Sequence, residues 1–395
     1  MNIAEKSQII FNPLPAVAIG GPPNSGKSVL AHSLTRALRE RGVLHYLLRA
    51  YPPDCEGDWF QEGDREAVRH LRIKGARSEA WLPLLRRDVA RRHLPLIVDV
   101  GGLPTPEQEA VLDDCTHGIL LTPDRATRRD WAARFALHGL IILADLRSEL
   151  YGQNRLEREQ PLVRGTLAGL ERGQRATGPT FAALVARLDT LFTAASGDLR
   201  RRHLESAPAE LAVDLERLAG QVEQDPHNWE PASLPAVLAY LPEGEPLALY
   251  GRGPNWLYAA AAAHAFPAPF FLFDVRLGWI EAPDVQVGRP APNGPITVQQ
   301  RPLPGALLLA FGLPEAYLDL ADAADFRVPP CPAEGVVLSG KLPQWLWAAL
   351  ARAYDAPWVA VMQPQERGAV VVRSQSQEMQ VGAVVPARAG ESDRL

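Results

Sequence analysis

One octapeptide constrains the fold of this chain more than any other feature, because residues 21–28 are Gly-Pro-Pro-Asn-Ser-Gly-Lys-Ser. The spacing Gly-x-x-x-x-Gly-Lys-Ser follows an apolar segment and precedes one with helical periodicity, which is the context that a phosphate-binding loop needs. Its glycines would let backbone N–H groups converge on phosphate, and the N-terminus of the following helix adds a favourable dipole. The motif therefore predicts a P-loop that binds ATP. The predicted contacts are Gly21, Asn24, Ser25, Gly26, Lys27 and Ser28.

A cation, a hydroxyl and an acid would complete this nucleotide site. Lys27 would contact the β and γ phosphates and is a candidate catalytic residue, and Ser28 would ligate Mg²⁺. Asp99 closes the apolar segment 96–99, where an acidic residue can hold the magnesium shell; the alternative is a plain capping residue. No second acidic residue stands beside Asp99, because Val100, Gly101 and Gly102 follow it. Phosphate transfer or ATP-driven switching is therefore favoured over dedicated ATP hydrolysis.

The length of 395 residues predicts two or three domains, since single cores stop growing at roughly 250–300 residues. A hydrophobic fraction of 47% with 22% charged residues is ordinary for a soluble protein, and no apolar run approaches the roughly 18 residues of a membrane span. The three cysteines lack metal-ligand spacing and the chain begins without a secretory signal pattern, so a cytoplasmic location is expected. The net charge of −5 argues against duplex DNA as a partner but allows a local basic pocket.

Short apolar runs rich in branched residues alternate with segments of helical period between residues 15 and 146. This alternation predicts the α/β class with a parallel sheet that is buried on both faces. The predicted strands are residues 16–19, 43–48, 96–100, 119–122 and 140–144. The predicted helices are residues 28–41, 78–92 and 125–138.

Four parts are expected along the chain. Residues 1–178 would form a kinase-like P-loop domain with an arginine-rich lid, and residues 179–228 a helical connector. Pro, Trp and Gly become frequent after Asp225, which predicts a boundary there. Two small α/β repeats would follow, at residues 229–300 and 301–395.

Two polar segments of the first part carry candidate groups for phosphate chemistry. Four arginines follow the last predicted strand, where a lid would bring guanidinium groups onto transferring phosphate; a solvated helix face is an equal alternative. They are Arg155, Arg158, Arg164 and Arg172. Residues 54–58, Asp-Cys-Glu-Gly-Asp, occupy the position where small-molecule kinases of this fold often bind their acceptor. An acidic surface loop is the plainer interpretation of that segment.

The C-terminal part contains an internal repeat. Residues 249–257, Leu-Tyr-Gly-Arg-Gly-Pro-Asn-Trp-Leu, resemble residues 338–346, Leu-Ser-Gly-Lys-Leu-Pro-Gln-Trp-Leu. Each copy continues with an Ala-rich helical segment, then a proline and an apolar strand, and then another strand. Two copies are too few for a solenoid, so a pseudo-two-fold pair within one chain is the better interpretation.

The repeated loop combines a flexible backbone turn, a basic side chain, a proline and an aromatic residue. At a helix start, such a loop could hold a phosphodiester on its N–H groups and its basic side chain while an aromatic ring stacks nearby. The loop residues predicted to contact a ligand are Gly251, Arg252, Gly253, Gly340 and Lys341. Trp256 and Trp345 would either stack on that ligand or pack in the core.

At these residues the sequence resembles the third-numbered Csx family, the ring nucleases of type III CRISPR systems. The segments that carry the resemblance are residues 335–346, 356–361 and 368–376 of the second copy, and residues 251–257 and 274–278 of the first. In the second copy it spans about Leu307 to Pro386. Members of that family are small α/β proteins that bind cyclic tetra-adenylate between subunits and cleave it with the help of Mn²⁺. The resemblance implies that this chain takes part in antiviral defence as a homo-oligomer, with cyclic tetra-adenylate or its linear products as ligand.

Both copies depart from the family pattern. The family has an Asp-Pro-Arg-Leu-Gly turn, of which the first copy keeps Asp274 and Arg276, whereas residues 363–368 of the second copy are Gln-Pro-Gln-Glu-Arg-Gly. The family histidine between two serines is replaced by Gln375, which follows Ser374. By resemblance, both of these residues are expected to contact the ring.

Ring cleavage needs a group that activates the 2′-hydroxyl or stabilises the leaving oxygen. The candidate catalytic residues are Asp274, Arg276 and His264, with Asp274 also a candidate Mn²⁺ ligand. His264 lies near a histidine position of the family, although an isolated helix histidine is more often structural. The further carboxylates available are Glu281, Asp284 and Glu366.

Three functions are compatible with these patterns. The first is an enzyme that binds and cleaves cyclic oligoadenylate, with ATP gating or assembling the site. The second is a kinase that senses the ring through the repeats and phosphorylates a nucleotide or an adenylate product, which the acidic loop and the missing second acid favour. The third is a non-catalytic sink for the ring, which the missing family histidine favours.

Overall fold

The computed structural model describes residues 14–50, 81–226, 228–291, 294–313, 318–331 and 334–386. Two structural units can be distinguished in it, and along the chain the first ends at Leu199 and the second continues from Arg200. In the described part of the chain, no helix combines the length and the hydropathy that a membrane span requires.

The first unit is built on one sheet. Its strands are β1 Ala16–Gly20, β2 Tyr46–Arg49, β3 Leu96–Asp99, β4 His117–Thr122, β5 Ile141–Glu149, β6 Arg155–Arg158 and β7 Val163–Ala168. The strand order is β2-β3-β1-β4-β5-β7-β6, and every neighbouring pair is parallel except β7 with β6. All residues of β1 and β3 are buried, as expected for central strands of a parallel sheet that is covered on both faces.

Helices cover both faces of this sheet. They are α1 Lys27–Glu40, α2 Leu82–Ala90, α3 Pro106–Glu109, α4 Arg125–Leu137 and α5 Pro179–Ser196. Apolar residues of α1 and α5 share a core with β1, β4, β5 and β7. On the opposite face, Phe135 of α4 lies so close to Gly20 and Gly118 that a Cβ at either glycine would be within 2.5 Å of its ring. The predicted α/β class with parallel strands is confirmed.

The arginine-rich lid predicted within residues 147–178 requires a correction. Two strands, β6 and β7, lie in this stretch and extend the sheet. Val163 and Leu167 face the core with α5, and Leu156 packs against that core, whereas the polar residues between them face the other way. This alternation has the two-residue period of a strand. A bulge between Leu156 and Arg158 interrupts it, which is why the sequence pattern is hard to recognise.

The second unit contains two main sheets. Its strands are β8 Ala212–Asp214, β9 Leu247–Tyr250, β10 Phe270–Asp274, β11 Gly278–Glu281, β12 Gln286–Val287, β13 Thr297–Leu303, β14 Ala306–Gly312, β15 Arg327–Val328, β16 Gly335–Gly340, β17 Trp358–Gln363, β18 Gly368–Ser374 and β19 Val384–Pro386. Its helices are α6 Leu199–Glu205, α7 Leu215–Gln221, α8 Leu234–Ala239, α9 Asn255–Ala265 and α10 Gln344–Ala353. The sheet orders are β11-β10-β9-β8 and β13-β14-β16-β17-β18-β19, and β12 pairs with β15.

The same order of elements occurs twice in this unit, as β9-α9-β10-β11 and as β16-α10-β17-β18. In both, the first two strands are parallel and the third returns antiparallel. α9 and α10 pack against each other, and most residues of both are buried in one core that reaches both sheets. A helix that is apolar on all sides requires such a buried position.

Two of the predicted boundaries fall inside structural elements. Residues 179–228, predicted as one helical connector, contribute to both units, because α5 belongs to the core of the first and β8 is a strand of the second. The boundary predicted at residue 300 falls inside β13, which pairs along its whole length with β14. The strands and boundaries were predicted from apolar runs, and β13 is a mostly exposed strand without such a run.

Candidate functional site

In the first unit, the loop between β1 and α1 turns on residues with positive φ. Asn24 has a φ of 62° and Gly26 a φ of 83°, a region that disfavours residues with a Cβ. A Cβ added at Gly26 would lie 2.5 Å from the Cβ of Leu170, and one at Gly21 would lie 2.1 Å from the carbonyl oxygen of Leu121. Both glycines of the octapeptide are therefore required by the packing around the loop.

Lys27, the first residue of α1, holds its side chain against this loop. Its Nζ donates to the carbonyl oxygens of Gly21 at 2.9 Å and Pro22 at 2.7 Å. The loop is also fixed to β5, because Ser148 Oγ donates to the carbonyl oxygen of Ser25 at 2.8 Å. A positive charge is thus placed beside a backbone turn that opens a helix, which is an arrangement that can bind phosphate.

Ser28 and Asp99 lie together, as the predicted magnesium site requires. Ser28 Oγ donates to Asp99 Oδ2 at 2.8 Å, and Asp99 is 1% exposed. Because β1 and β3 are parallel, the end of β3 lies at the sheet edge that also carries the loop. A hydroxyl and a carboxylate are hard oxygen donors that fit Mg²⁺, which usually completes its shell with water and phosphate oxygens. These two residues would hold the ion.

Arg49 was not among the predicted site residues. Its NH1 lies 3.5 Å from Asp99 Oδ2, because Arg49 ends β2 in register with Asp99. The contact depends on β2 being the neighbour of β3, which the spacing of residues along the chain does not reveal. The predicted acceptor loop, residues 54–58, lies outside the described residues.

Of the four predicted lid arginines, Arg164 enters a half-buried ion-pair network around the carboxylate of Asp145. Its Nε donates to Asp145 Oδ2 at 3.2 Å, while Arg128 of α4 binds both oxygens of the same carboxylate at 2.7 Å. Burial by itself would raise the pKa of Asp145, but the hydrogen bonds and charges of the two guanidinium groups hold this pKa below its ordinary value. Arg155 and Arg158 lie exposed on β6, and Arg172 lies in a turn after β7.

We predict that Asp145→Asn lowers the free energy of unfolding by about 2 kcal/mol at pH 7, since it removes charged hydrogen bonds to two arginines. Because the folded pKa of Asp145 is depressed, the stabilisation is present above the unfolded pKa, near 3.8, and is lost as the pH falls through the folded pKa. Urea unfolding at pH 7 and pH 3 measures this. The difference between wild type and variant should shrink at pH 3, and an equal difference at both pH values would contradict the ion-pair explanation.

In the second unit, both repeated loops begin with a glycine whose φ requires glycine. Gly251 follows β9 with a φ of 120°, and Gly340 ends β16 with a φ of 145°. Each loop then leads through a proline at the N-cap, Pro254 or Pro343, into α9 or α10. Neither N-cap makes a side-chain hydrogen bond, so no capping side chain competes for the first N–H groups of these helices.

The two loops lie side by side. Gln344 Nε2, at the start of α10, donates to the carbonyl oxygen of Gly253 at 2.8 Å. At the other end of α10, Arg352 NH1 donates to the carbonyl oxygen of Ala268, just beyond α9, at 2.9 Å. The helices therefore run in the same direction with both N-termini at one end. Arg252 and Lys341, one from each loop, are both exposed there.

Trp256 and Trp345 require a correction as ligand contacts. They are 1% and 0% exposed, respectively, and belong to the core around α9 and α10. An indole that is fully enclosed by apolar neighbours cannot stack on a ligand at the surface. Both tryptophans therefore pack in the core. The position of a tryptophan after a Gly-Pro loop does not by itself distinguish core packing from ligand stacking.

Asp274 and Arg276 lie at the same sheet edge as Gly251, because β9 and β10 are parallel. Asp274 Oδ1 accepts from the backbone N–H groups of Arg276 at 2.8 Å and Leu277 at 3.2 Å. The Nε of Arg276 lies 3.7 Å from the same oxygen. The carboxylate therefore shapes the turn between β10 and β11. Among the described residues there is no cluster of three or more His, Cys or acidic side chains that could hold a metal, so Mn²⁺ at Asp274 rests on resemblance.

His264 is not brought to this edge. Its Nε2 lies 3.0 Å from the carbonyl oxygen of Leu241, near the C-terminus of α9. About 13 Å of helix separates His264 from Asn255, where α9 begins. Asp284 lies at that distant end too, 4.0 Å from Arg352 NH2. His264 therefore has a backbone partner far from the paired loops.

Ser374 and Gln375 are also separated from the paired loops. In the register of the second sheet, Trp358 pairs with both Ser374 and Gly335, so Ser374 lies near the start of β16. Gly340 lies at the other end of β16, about 16 Å away. Gln375 N donates to the carbonyl oxygen of Pro357 instead.

The two remaining carboxylates fall at different places. Glu366 lies in the turn between β17 and β18, at the same edge as Gly340. Glu281 pairs with Phe271 near the start of β10, away from that edge. Of these two acids, only the first is near the paired loops.

A buried pair beside Gly251 was not predicted. His203 of α6 places its Nδ1 3.0 Å from the hydroxyl of Tyr250, the residue that precedes Gly251. The His203 ring packs on Phe273 at 4.2 Å, and its carbonyl oxygen accepts from the indole of Trp279 at 2.7 Å. Burial raises the pKa of Tyr250 to about 12, so its hydroxyl stays protonated at neutral pH. His203 lies outside the sequence repeat, and no spacing signal connects it to the loop.

The paired loops lie partly within a segment that is similar to a known family. Residues 313–386 match the family model described as CRISPR-associated protein (Cas_csx3). The matched segment contains β16, α10, β17, β18 and β19, with Gly340 and Lys341. It lies within the predicted span of the second copy and covers less than one fifth of the 395 residues. This part of the chain is therefore similar to a CRISPR-associated protein. No curated protein matches the chain.

Proposed function

We propose that this chain is a CRISPR-associated receptor for cyclic oligoadenylate, with cyclic tetra-adenylate as the ligand of the paired loops. The observation that carries the proposal is the hydrogen bond from Gln344 to Gly253, which places the two Gly-basic-x-Pro loops next to each other. The family match at residues 313–386 supports the choice of ligand.

Each loop offers the same phosphate-binding elements. A glycine turn brings backbone N–H groups to the surface, a helix N-terminus adds its dipole, and Arg252 or Lys341 supplies a charge-assisted hydrogen bond. Two such loops in one chain could hold two phosphodiesters of one ring. A closed ring also loses less conformational freedom on binding than a linear oligonucleotide, which favours the cyclic ligand.

We propose ATP with Mg²⁺ as the ligand of residues 21–28. Lys27 beside the loop, the glycines required by packing and the contact between Ser28 and Asp99 support this assignment. In this scheme Lys27 would hold the terminal phosphates, and Ser28 and Asp99 would hold the ion. ATP binding would gate the response to the ring, or the nucleotide would serve as phosphate donor in the kinase alternative.

Ring opening is a second candidate function, because Asp274 and Arg276 lie at the sheet edge that carries Gly251. In this step a 2′-hydroxyl of the ring attacks its neighbouring phosphorus and the bond to the 5′-oxygen breaks. A 2′,3′-cyclic phosphate and a 5′-hydroxyl result, so the proton passes from the attacking to the leaving oxygen. Arg276 and Arg252 would stabilise the charge that develops on phosphate.

One assay separates the candidate functions. The protein is incubated with labelled cyclic tetra-adenylate and Mg²⁺ or Mn²⁺, with and without ATP, and bound ligand and products are both measured. Binding of the intact ring supports the receptor, ring loss without ATP supports ring opening, and a phosphorylated product only with ATP supports the kinase. Absence of binding under all conditions would refute the proposal.

Two substitutions at Asp274 test whether its carboxylate is catalytic. Asp274→Asn keeps the oxygen that accepts the N–H groups of Arg276 and Leu277, so we expect stability within about 0.5 kcal/mol of wild type. Asp274→Ala removes that acceptor and should cost about 1–2 kcal/mol in urea unfolding. If the carboxylate assists ring opening, Asp274→Asn should lower the cleavage rate at least 100-fold while ring affinity is retained. Wild-type cleavage by a folded Asp274→Asn variant would exclude that role.

A further inference from the structure

At the end of the sheet formed by β5, β7 and β6, one face of the first unit carries arginines that the proposed function does not use. Arg155 pairs with Thr166 and Arg158 pairs with Arg164 across β6 and β7, and residues that pair directly project to the same face. Asp145 pairs with Arg164 across β5 and β7, so it belongs to this face too. The opposite face is the one that α5 covers. We name the face with the arginines the basic face.

The arginine side chains of the basic face reach solvent, whereas Asp145 and Thr166 between them are buried. The side chain of Arg147 is 65% exposed, that of Arg128 43% and that of Arg164 37%. Arg155 and Arg158 are exposed as well. Four of these arginines are thus arranged along three neighbouring strands, which lie about 4.8 Å apart, and Arg128 reaches the face from α4.

Part of this positive charge is neutralised and part is not. Arg128 and Arg164 share the carboxylate of Asp145, and Arg147 Nε lies 3.0 Å from Glu149 Oε1. Within the described ranges, Arg155 and Arg158 have no ion-pair partner. Five arginines stand against four acids, Asp145, Glu149, Glu157 and Glu159. A net positive surface therefore remains, although the whole chain has a net charge of −5.

We propose that the basic face binds a single-stranded RNA. Guanidinium groups bind phosphate in a fork geometry and also stack on bases. Tyr151, in the connection between β5 and β6, is 87% exposed and provides an aromatic surface on which a base can stack. A row of exposed guanidinium groups suits an unpaired strand, because its phosphates can contact the arginines while its bases remain free to stack. This surface is separate in sequence from the loops at Gly251 and Gly340 and does not depend on their ligand.

The test is fluorescence anisotropy with a labelled 12-nucleotide uridylate RNA, which is not the adenylate ligand proposed for the paired loops, comparing wild type with Arg155→Ala/Arg158→Ala at several salt concentrations. We expect the double variant to bind at least 10-fold more weakly. The slope of log affinity against log salt should fall by about 1.4, since each lost phosphate contact on a single strand contributes about 0.7. Tyr151→Ala should weaken binding about 10-fold with an unchanged slope, because it removes stacking and no charge.

Matched variants control for net charge and for other sites. Arg36→Ala/Arg91→Ala removes two exposed arginines of α1 and of the segment after α2, and its RNA affinity should stay within 2-fold of wild type. Arg217→Ala/Arg289→Ala removes two exposed arginines of the second unit and should also keep its RNA affinity. Equal losses in the test and control pairs, or no loss in the test pair with its melting temperature preserved, would overturn the proposal. Binding to anionic lipid vesicles but not to RNA would overturn it as well.

Discussion

Lys27→Ala is expected to weaken the binding of ATP with Mg²⁺ by about 100-fold. The lysine amine lies within 3 Å of two carbonyl oxygens of its own loop, at the first residue of α1. A phosphate in the loop would accept charge-assisted hydrogen bonds from this amine, each worth about 1.5–3 kcal/mol, and 1.4 kcal/mol corresponds to tenfold in affinity. Calorimetric titration with a non-hydrolysable ATP analogue measures the effect.

A lysine from the other unit provides the control for this experiment. Lys341→Ala removes the same charge but lies on a loop of the second unit, so its ATP affinity should equal that of wild type. The melting temperature of Lys27→Ala should be measured in parallel, because the amine also contacts the loop carbonyls. A folded Lys27→Ala variant that binds ATP as tightly as wild type would refute the nucleotide site at residues 21–28.

Arg252→Ala/Lys341→Ala is expected to weaken the binding of cyclic tetra-adenylate by at least 100-fold. Each single substitution should cost about 10-fold, since each removes one charge-assisted contact to phosphate. Because both loops would hold one ring, the two effects should be coupled and not strictly additive. Both side chains are exposed, so the free energy of unfolding should stay within about 1 kcal/mol of wild type. Anisotropy or calorimetry with the ring measures the affinities.

The matched control removes two other exposed arginines of the same unit. Arg217→Ala/Arg289→Ala has the same change in net charge and should keep ring affinity within 2-fold. A comparison with linear tetra-adenylate tests the cyclic preference, since the closed ring should bind more tightly. Full affinity of Arg252→Ala/Lys341→Ala for the ring would move the binding site away from the paired loops.

Local features of this chain could be predicted from the sequence. The loop at residues 21–28 is continuous, and its turn, its helix start and the position of Lys27 follow from glycine spacing and neighbouring periodicity. Asp99 could be placed near Ser28 because the ends of parallel strands meet at one sheet edge. The repeated loops were also predictable as loops, since Gly251 and Gly340 mark turns with positive φ.

The positions of the other candidate site residues depend on burial and on the register of strands that are distant in sequence. Whether Trp256 and Trp345 pack or stack depends on what surrounds α9 and α10, and the two sheets enclose both indoles. The sequence placed His264 and Ser374 close to motifs of the proposed ring site. In the folded chain, His264 lies near the end of α9 and Ser374 at the end of β18, and both are far from the paired loops. The distances from His264 and Ser374 to the paired loops cannot be obtained from a local sequence pattern.

The sequence by itself predicted the glycine-rich loop at residues 21–28, the α/β class and the duplicated loop motif, because each depends on residues close together in the chain. Only the tertiary structure decided that Gln344 reaches Gly253, and that Arg128 and Arg164 share Asp145. These contacts join residues whose separation in sequence carries no periodic signal. They exist because helices pack side by side and strands pair in one register, and those are properties of the folded chain.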